Sequence, residues 1–252
     1  MLGTDKDNIN NGYIDMHCHI IPNVDDGAKS LEQAMNMISI AYQNGFRTMI
    51  GTPHYEVGRY EANKEEIENN YLKLKNMLKE RMPDFKLFIG NEIFFSYGVV
   101  DKLNEGEIFT LADSNYVLVE FSPDDSFGYI KKSLYEIING GYTPILAHTE
   151  RYEEVMESGI KNVEKLVDAG VLIQINASTF AGNMGIGIRR KALKLIKNDL
   201  VHFVSTDCHS DGRRSPDLTE CIKYLQKKTD TETINTLLRN NAIKIINNED
   251  IE

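Results

Sequence analysis

Short runs rich in β-branched and aromatic residues alternate with stretches of helical periodicity along the whole chain, and that alternation restricts the fold more than any other feature. One run opens at Tyr13, and others span 46–51, 85–93, 116–121, 143–147, 171–176 and 201–206. Between the first two, Ser30-Leu-Glu-Gln33 fits a capping box, and Leu31, Ala34, Met35, Ile38, Ala41 and Tyr42 recur at helical spacing until Asn44-Gly45. A more polar helix is expected over 61–82, with Ile67, Tyr71, Leu74 and Leu78 on its buried face and Pro83 as its stop. Further helices are expected near 130–139, 163–169, 188–197, 216–228 and 231–240, while 98–113 reads as a short helix and a turn. Strands separated by helices pair in parallel. Seven such units in about 240 residues, with no Gly-rich dinucleotide fingerprint after the first, fit a distorted (β/α)7 barrel of the α/β class; an open doubly wound sheet is the alternative.

Nothing divides the chain. Its 252 residues are 41% hydrophobic and 26% charged, the balance of a globular protein with a sizeable core. No linker or compositional break appears, so a single domain over 13–252 is expected, behind a loose, polar N-terminus over 1–12. A net charge of −10 disfavours nucleic acid as a partner. No apolar run reaches the length of a membrane span. Three cysteines, Cys18, Cys208 and Cys221, make no disulfide framework and suit a reducing compartment, so a cytoplasmic protein is expected.

The ionisable residues fall in a pattern of their own. His17 and His19 leave the first strand on the same side, since side chains alternate faces, and Asp25-Asp26 follows in the loop. His54, Glu92, Glu120, His148 and the Asp207/His209 pair lie at or just past the C-terminal ends of five further strands. In a parallel barrel those ends share one rim, where active sites are built. Five of the six histidines belong to this set; only His202 does not. A lone strand-end histidine is usually just a satisfied polar residue. Glu92 and Glu120, however, sit in apolar sequence, and a buried carboxylate must be paired or metal-bound. Two of them with five histidines exceed the needs of a mononuclear site. Mixed His/carboxylate ligation suits manganese, iron or zinc.

Clustered divalent ions lower the pKa of a shared water and clamp both oxygens of an in-line displacement, which suits phosphate-ester hydrolysis. A transferring phosphoryl group also needs fixed positive charge on its outer oxygens. Arg151, three residues after His148, and Arg213 and Arg214, soon after His209, stand on the same rim.

These residues carry a resemblance. His17-Cys-His19…Pro22…Asp25-Asp26-Gly27, Thr52-Pro-His54, Gly90-Asn-Glu92, Leu118-Val-Glu120-Phe, Ala147-His148-Thr-Glu-Arg151-Tyr and Ser205-Thr-Asp207-Cys-His209 resemble, in this order, the polymerase-and-histidinol-phosphatase family. They are most similar to its manganese-dependent protein-tyrosine phosphatases encoded with bacterial capsule and exopolysaccharide genes. The resemblance runs from about Tyr13 to Asn240 and implies a distorted barrel with three metals. His17, His19, Glu92 and Asp207 would hold one ion; Glu92 would bridge to a second with Glu120 and His148; Asp26, His54 and His209 would hold the third. Arg151 and Arg213 would bind phosphate, Arg213 being chosen over Arg214 because it directly follows Asp211-Gly212. The implied substrate is a phosphotyrosine on a bacterial tyrosine autokinase.

Other functions compete. Cys208-His-Ser-Asp-Gly-Arg-Arg214-Ser215 satisfies the Cys-x5-Arg-Ser spacing of cysteine-dependent tyrosine phosphatases, between a strand and a helix. If Asp207 and His209 face metals, strand alternation turns Cys208, like Cys18, into packing. Histidinol phosphate or another small phosphomonoester is the rival substrate within the metal chemistry. A non-catalytic metal-bound regulatory module is the rival outside it.

Overall fold

The computed structural model describes residues 12–60 and 62–251. The loose N-terminus expected over 1–12 therefore lies, Gly12 apart, outside the described residues. Among the described residues there are nine strands: β1 (Tyr13–Cys18), β2 (Phe46–Gly51), β3 (His54–Tyr55), β4 (Lys86–Ile89), β5 (Glu92–Phe94), β6 (Tyr116–Glu120), β7 (Thr143–Leu146), β8 (Leu172–Asn176) and β9 (Phe203–Ser205). Every strand pairing is parallel, in the orders β1-β2-β4 and β3-β5-β6-β7-β8-β9.

The two extra strands are continuations. β2 and β3 are one barrel strand interrupted at Thr52-Pro53, where proline has no N–H for the ladder. β4 and β5 are one strand interrupted at Gly90-Asn91. A Cβ on Gly90 would stand 2.6 Å from Leu111, so the chain passes there only without a side chain. Bonds bridge both breaks: Gly90 N donates to Gly51 O at 2.9 Å, and Glu92 N to Pro53 O at 3.1 Å. Seven barrel strands result, as the sequence pattern predicts. The ring closes where β1 meets the residues after β9: Asp207 N donates to His17 O at 2.9 Å and His19 N to Cys208 O at 2.8 Å.

Inside the barrel, Ile14, Met16, Ile50, Phe88, Leu118, Ile145, Leu172 and Phe203 pack together. The C-terminal helix Asn241–Asn247 plugs the lower end with Ala242, Ile245 and Ile246. A larger apolar layer lies between the sheet and the outer helices. The helix Leu31–Gln43 starts as the capping box requires: Ser30 Oγ accepts from Gln33 N at 3.1 Å. Gln33 Oε1 reaches back one residue further than expected, to Lys29 N at 2.8 Å.

Helix boundaries differ from expectation by a few residues, for instance Lys64–Arg81, Phe127–Asn139 and Gly185–Ile196. The last helical stretch begins at Thr231, as expected, but continues through a π-helical turn at Thr236–Asn240 to Asn247. Among the described residues, no helix is long and apolar enough to cross a membrane.

Candidate metal centre

Strict alternation fails in the middle of β1. Its register against β2 slips between Asp15 and Cys18, so Ile14 and Met16 enter the inner cluster while Cys18 joins the outer layer. Beyond the slip, His17 and His19 do project together, with their Nε2 atoms 3.4 Å apart. The following loop folds back so closely that a Cβ on Gly27 would lie 2.1 Å from His19 O. This return places Asp25 Oδ2 at 2.7 Å from His19 Nδ1, where it also accepts from His54 N at 3.0 Å. Asp25 thus fixes the His19 ring with Nε2 outward, the usual office of a carboxylate behind a ligating histidine.

The nine expected ligand residues meet at the rim. His17 Nε2 lies 3.2 Å from Glu92 Oε1, and His19 Nε2 lies 3.1 Å from Glu92 Oε2. Asp207 Oδ1 closes that group at 3.6 Å and 3.5 Å from the two Nε2 atoms. His148 Nε2 stands 2.9 Å from Glu92 Oε1 and 3.4 Å from Glu120 Oε2. His54 Nδ1 faces Glu120 Oε1 at 2.9 Å and Glu92 Oε2 at 3.1 Å. Asp26 Oδ1 sits 3.5 Å from His54 Nε2 and 3.4 Å from His209 Nε2. Three groups of candidate ligating atoms emerge: His17/His19/Glu92/Asp207, His54/Glu92/Glu120, and His19/Asp26/His54/His209. His19, His54 and Glu92 each belong to two groups, whereas the resemblance implied His19 for the first ion alone and His54 for the third alone. His148, implied for the second, is in none of the three, and His54 stands there with Glu92 and Glu120.

Two observations fit cations. Adjacent ligands at about 2.1 Å from one octahedral ion stand about 3 Å apart, close to the spacings seen. His54 Nδ1 and Glu92 Oε2 are also buried without a hydrogen bond, although they are within contact distance of each other. These atoms are aimed at shared points rather than at partners.

Electrostatics agree. Burial alone would raise Glu92 and Asp207, but the charge of His17, with hydrogen bonds from neighbouring histidines, holds both well below the usual carboxylate range. Burial would lower His148, yet hydrogen bonds with Glu120 and Glu92 push it up to about 9. Burial would likewise lower His19, which Asp25, Asp207 and Glu92 hold well above its ordinary value. His209 goes the other way, lowered by burial and by the charge of His19. With protons alone as counter-charge, the nest keeps its carboxylates ionised and several imidazoles protonated; a divalent cation would displace those protons.

Above the nest is a cavity of about 230 Å³, walled by Tyr60, Phe94, Phe121, Pro123 and Tyr152. Arg151 and Arg214 also line it. Arg151 Nη2 donates to Asp207 Oδ2 at 2.6 Å, and Arg214 Nη2 to Asp207 Oδ1 at 3.1 Å. Arg213 does not line this cavity; it lines a neighbouring one of about 490 Å³, which Arg151, Asp207 and Arg214 line as well. Successive side chains of the loop after His209 diverge, so the neighbouring Asp211-Gly212 could not decide between the two arginines.

Cys208 is outside the cavity. It is 1% exposed, bridges to Cys18 across the barrel closure and packs in the outer apolar layer, so it cannot serve as the nucleophile of a Cys-x5-Arg loop. The other residue set apart by the sequence, His202, is also remote; its Nδ1 accepts from Ile173 N at 3.0 Å. Sequence reasoning gave no part to Gln174 and Asn176, which lie buried beneath the nest. Uncharged amides inside a strand carry no signal of their own.

A parallel seven-stranded barrel with histidines and carboxylates gathered on its C-terminal rim defines a metal-binding hydrolase scaffold. A family profile described as capsular polysaccharide synthesis, CpsB/CapC, matches residues 13–247, and the chain belongs to that family. The tyrosine-protein phosphatase CpsB of Streptococcus pneumoniae is 35% identical over 238 residues, 92% of this chain and 98% of that protein. YwqE of Bacillus subtilis, also named a tyrosine-protein phosphatase, is 32% identical over 94% of this chain and 93% of its own. A crystal structure from work on YwqE and CpsB, described there as unique metal-dependent tyrosine phosphatases, superposes with a TM-score of 0.87 at 30% identity, covering 95% of this chain and 96% of that one.

Proposed function

We propose that this protein is a cytoplasmic, manganese-dependent phosphatase that hydrolyses phosphotyrosine on proteins, with a bacterial tyrosine autokinase as its substrate. The observation that carries this is the cavity itself, where the guanidiniums of Arg59, Arg151 and Arg214 and an aromatic wall face seven of the nine candidate ligand residues. Membership of a family whose named relatives are tyrosine-protein phosphatases supports the same conclusion.

The nest would hold three divalent ions. His17, His19, Glu92 and Asp207 would hold one. Glu92 would also serve a second, with Glu120 and His148, and Asp26, His54 and His209 would hold the third. Such ions supply an acidified water at neutral pH and offset charge on the phosphoryl oxygens.

The chain's own residues do the rest. Arg151 and Arg214 each have five N–H donors and commit only a few to Asp207, leaving others for the outer phosphoryl oxygens. Arg214 here takes the place that the sequence resemblance gave to Arg213. The wall of Tyr60, Phe94 and Phe121 receives an aromatic leaving group, for which a polyol or imidazole is a poorer match. A cleft of about 530 Å³ adjoins the cavity across Tyr60, between Tyr55, Val57 and Ile67, and leaves room for polypeptide beside the phosphotyrosine.

The test is substrate preference. Manganese-supplemented protein should hydrolyse a phosphotyrosine peptide with a kcat/KM at least tenfold above those for a phosphoserine peptide and histidinol phosphate. Preference for histidinol phosphate would assign the small-molecule chemistry instead. Manganese binding with no turnover of any phosphoester would assign the regulatory module.

A further inference from the structure

One barrel strand gives the nest no ligand. β8 instead presents two buried amides, Gln174 and Asn176, on the face beneath the ligands. Gln174 Oε1 accepts the backbone N–H of His148 at 2.6 Å. A backbone N–H only donates, so the atom it meets is the amide oxygen, and the orientation of this side chain is settled. The same oxygen lies 3.3 Å from His17 Nδ1, which must then carry a proton, so Nε2, facing Glu92 and Asp207, is the nitrogen that would be free to ligate once the charged ring gives up its second proton to a cation. Gln174 Nε2 donates to Asn176 Oδ1 at 2.8 Å, and Asn176 Nδ2 donates to Asp207 Oδ2 at 2.8 Å. From one obligatory donor, each group in the chain acquires a fixed direction.

The residues so held need holding. His148 has φ +31° and Asp207 has φ +51°, in the left-handed region that side chains with a Cβ rarely adopt. A bond to the His148 N–H and another to the Asp207 carboxylate tie both residues to β8. The end of β8 is itself anchored, because Glu150 Oε1 accepts from Asn176 N at 2.9 Å and from Thr179 Oγ1 at 2.7 Å.

We propose that Gln174 and Asn176 are positioning residues that set the tautomer of His17 and the placement of His148 and Asp207, and so pre-form the metal nest. This rests on the metal reading above. Outer partners of metal ligands are typically worth about 10–100-fold in metal affinity.

The experiment is calorimetric titration of manganese into chelator-stripped wild type, Gln174→Met, Gln174→Glu and Asn176→Leu, with the melting temperature of each stripped form. Gln174→Met should weaken manganese binding at least tenfold while the stripped protein melts within a few degrees of wild type. Gln174→Glu keeps an acceptor for His148 N–H and His17 Nδ1–H but loses the donor to Asn176. It should weaken binding by less, and it remains informative if Gln174→Met does not fold. Variants that bind manganese as wild type does, whatever their melting temperature, would overturn the positioning role and leave the metal centre standing. A wild type that takes up no manganese would overturn the metal reading itself.

Discussion

The ring of Tyr60 lies 4.8 Å from that of His54 and within 10° of parallel to it. A ligand candidate is thereby backed by the aromatic wall of the cavity, so one residue both shapes that wall and packs on the nest. Arg59 also packs on this ring, its guanidinium 5.0 Å from the Tyr60 ring centre. An aromatic pair of this kind is worth about 0.5–1.5 kcal/mol beyond its area. Tyr60→Phe should therefore keep KM for p-nitrophenyl phosphate near wild type, whereas Tyr60→Ala should raise it by roughly two- to tenfold. Equal effects of the two changes would show that the hydroxyl, not the ring, matters.

The two arginines of the loop after His209 should separate cleanly. Arg214, at 3.1 Å from Asp207 and in the cavity, should behave as a phosphate ligand. Arg214→Ala, like Arg151→Ala, is expected to lower kcat/KM by about 10²-fold or more, as loss of a charge-stabilising donor does. Arg213→Ala should change it less than about threefold for a small aryl phosphate. Steady-state kinetics decide, and the reverse ranking would return the role to Arg213.

How much of this was legible in the chain differs from residue to residue. The barrel and the gathering of its candidate ligand residues were, because strand position is local: His17, His54, Glu92, Glu120, His148 and Asp207 all stand at the ends of their strands, within reach of one another. Breaks at Thr52-Pro53 and Gly90-Asn91 were hidden, since each half pairs with its neighbour in unbroken order. The bulge in β1 arises from its register with β2, which no single strand encodes. Gln174 and Asn176 escaped notice because an amide's role depends on which groups three other strands bring to it. Arg214 and Arg213 differ only in the direction a turn gives them.

His148 links stability to pH in the stripped protein. Its pKa is raised to about 9, above the value of about 6.5 for an unfolded histidine, by Glu120 and Glu92 working against burial. The stabilisation is complete below about pH 6.5 and disappears as pH rises through 9, a contribution of up to about 3 kcal/mol. His19 and His54 are shifted in the same direction. Chelator-treated protein should thus melt several degrees lower at pH 9 than at pH 6.5, as followed by circular dichroism. Manganese must displace those protons, so its affinity should rise over the same range. A stripped protein more stable at pH 9 would contradict both.

His202 has the opposite sign. Burial lowers it to about 4 while its Nδ1 accepts from Ile173 N. Its contribution is present above about pH 6.5 and is lost as pH falls toward 4, again up to about 3 kcal/mol. His202→Asn keeps an acceptor near the Nδ1 position without a titrating group. Its melting temperature should fall less than that of wild type between pH 6.5 and 4.5. Parallel profiles would show that acid sensitivity arises elsewhere.

The central claim is that the rim nest, through bound metal, carries out the hydrolysis. Its most direct measurement is turnover of a phosphotyrosine peptide by three samples: untreated protein, protein stripped with chelator and then resupplied with manganese, and Cys208→Ser. Activity should vanish on stripping, return with manganese and persist in Cys208→Ser. Activity that survives the chelator but is abolished by Cys208→Ser would contradict the account, and would make the nest of histidines and carboxylates a structural feature.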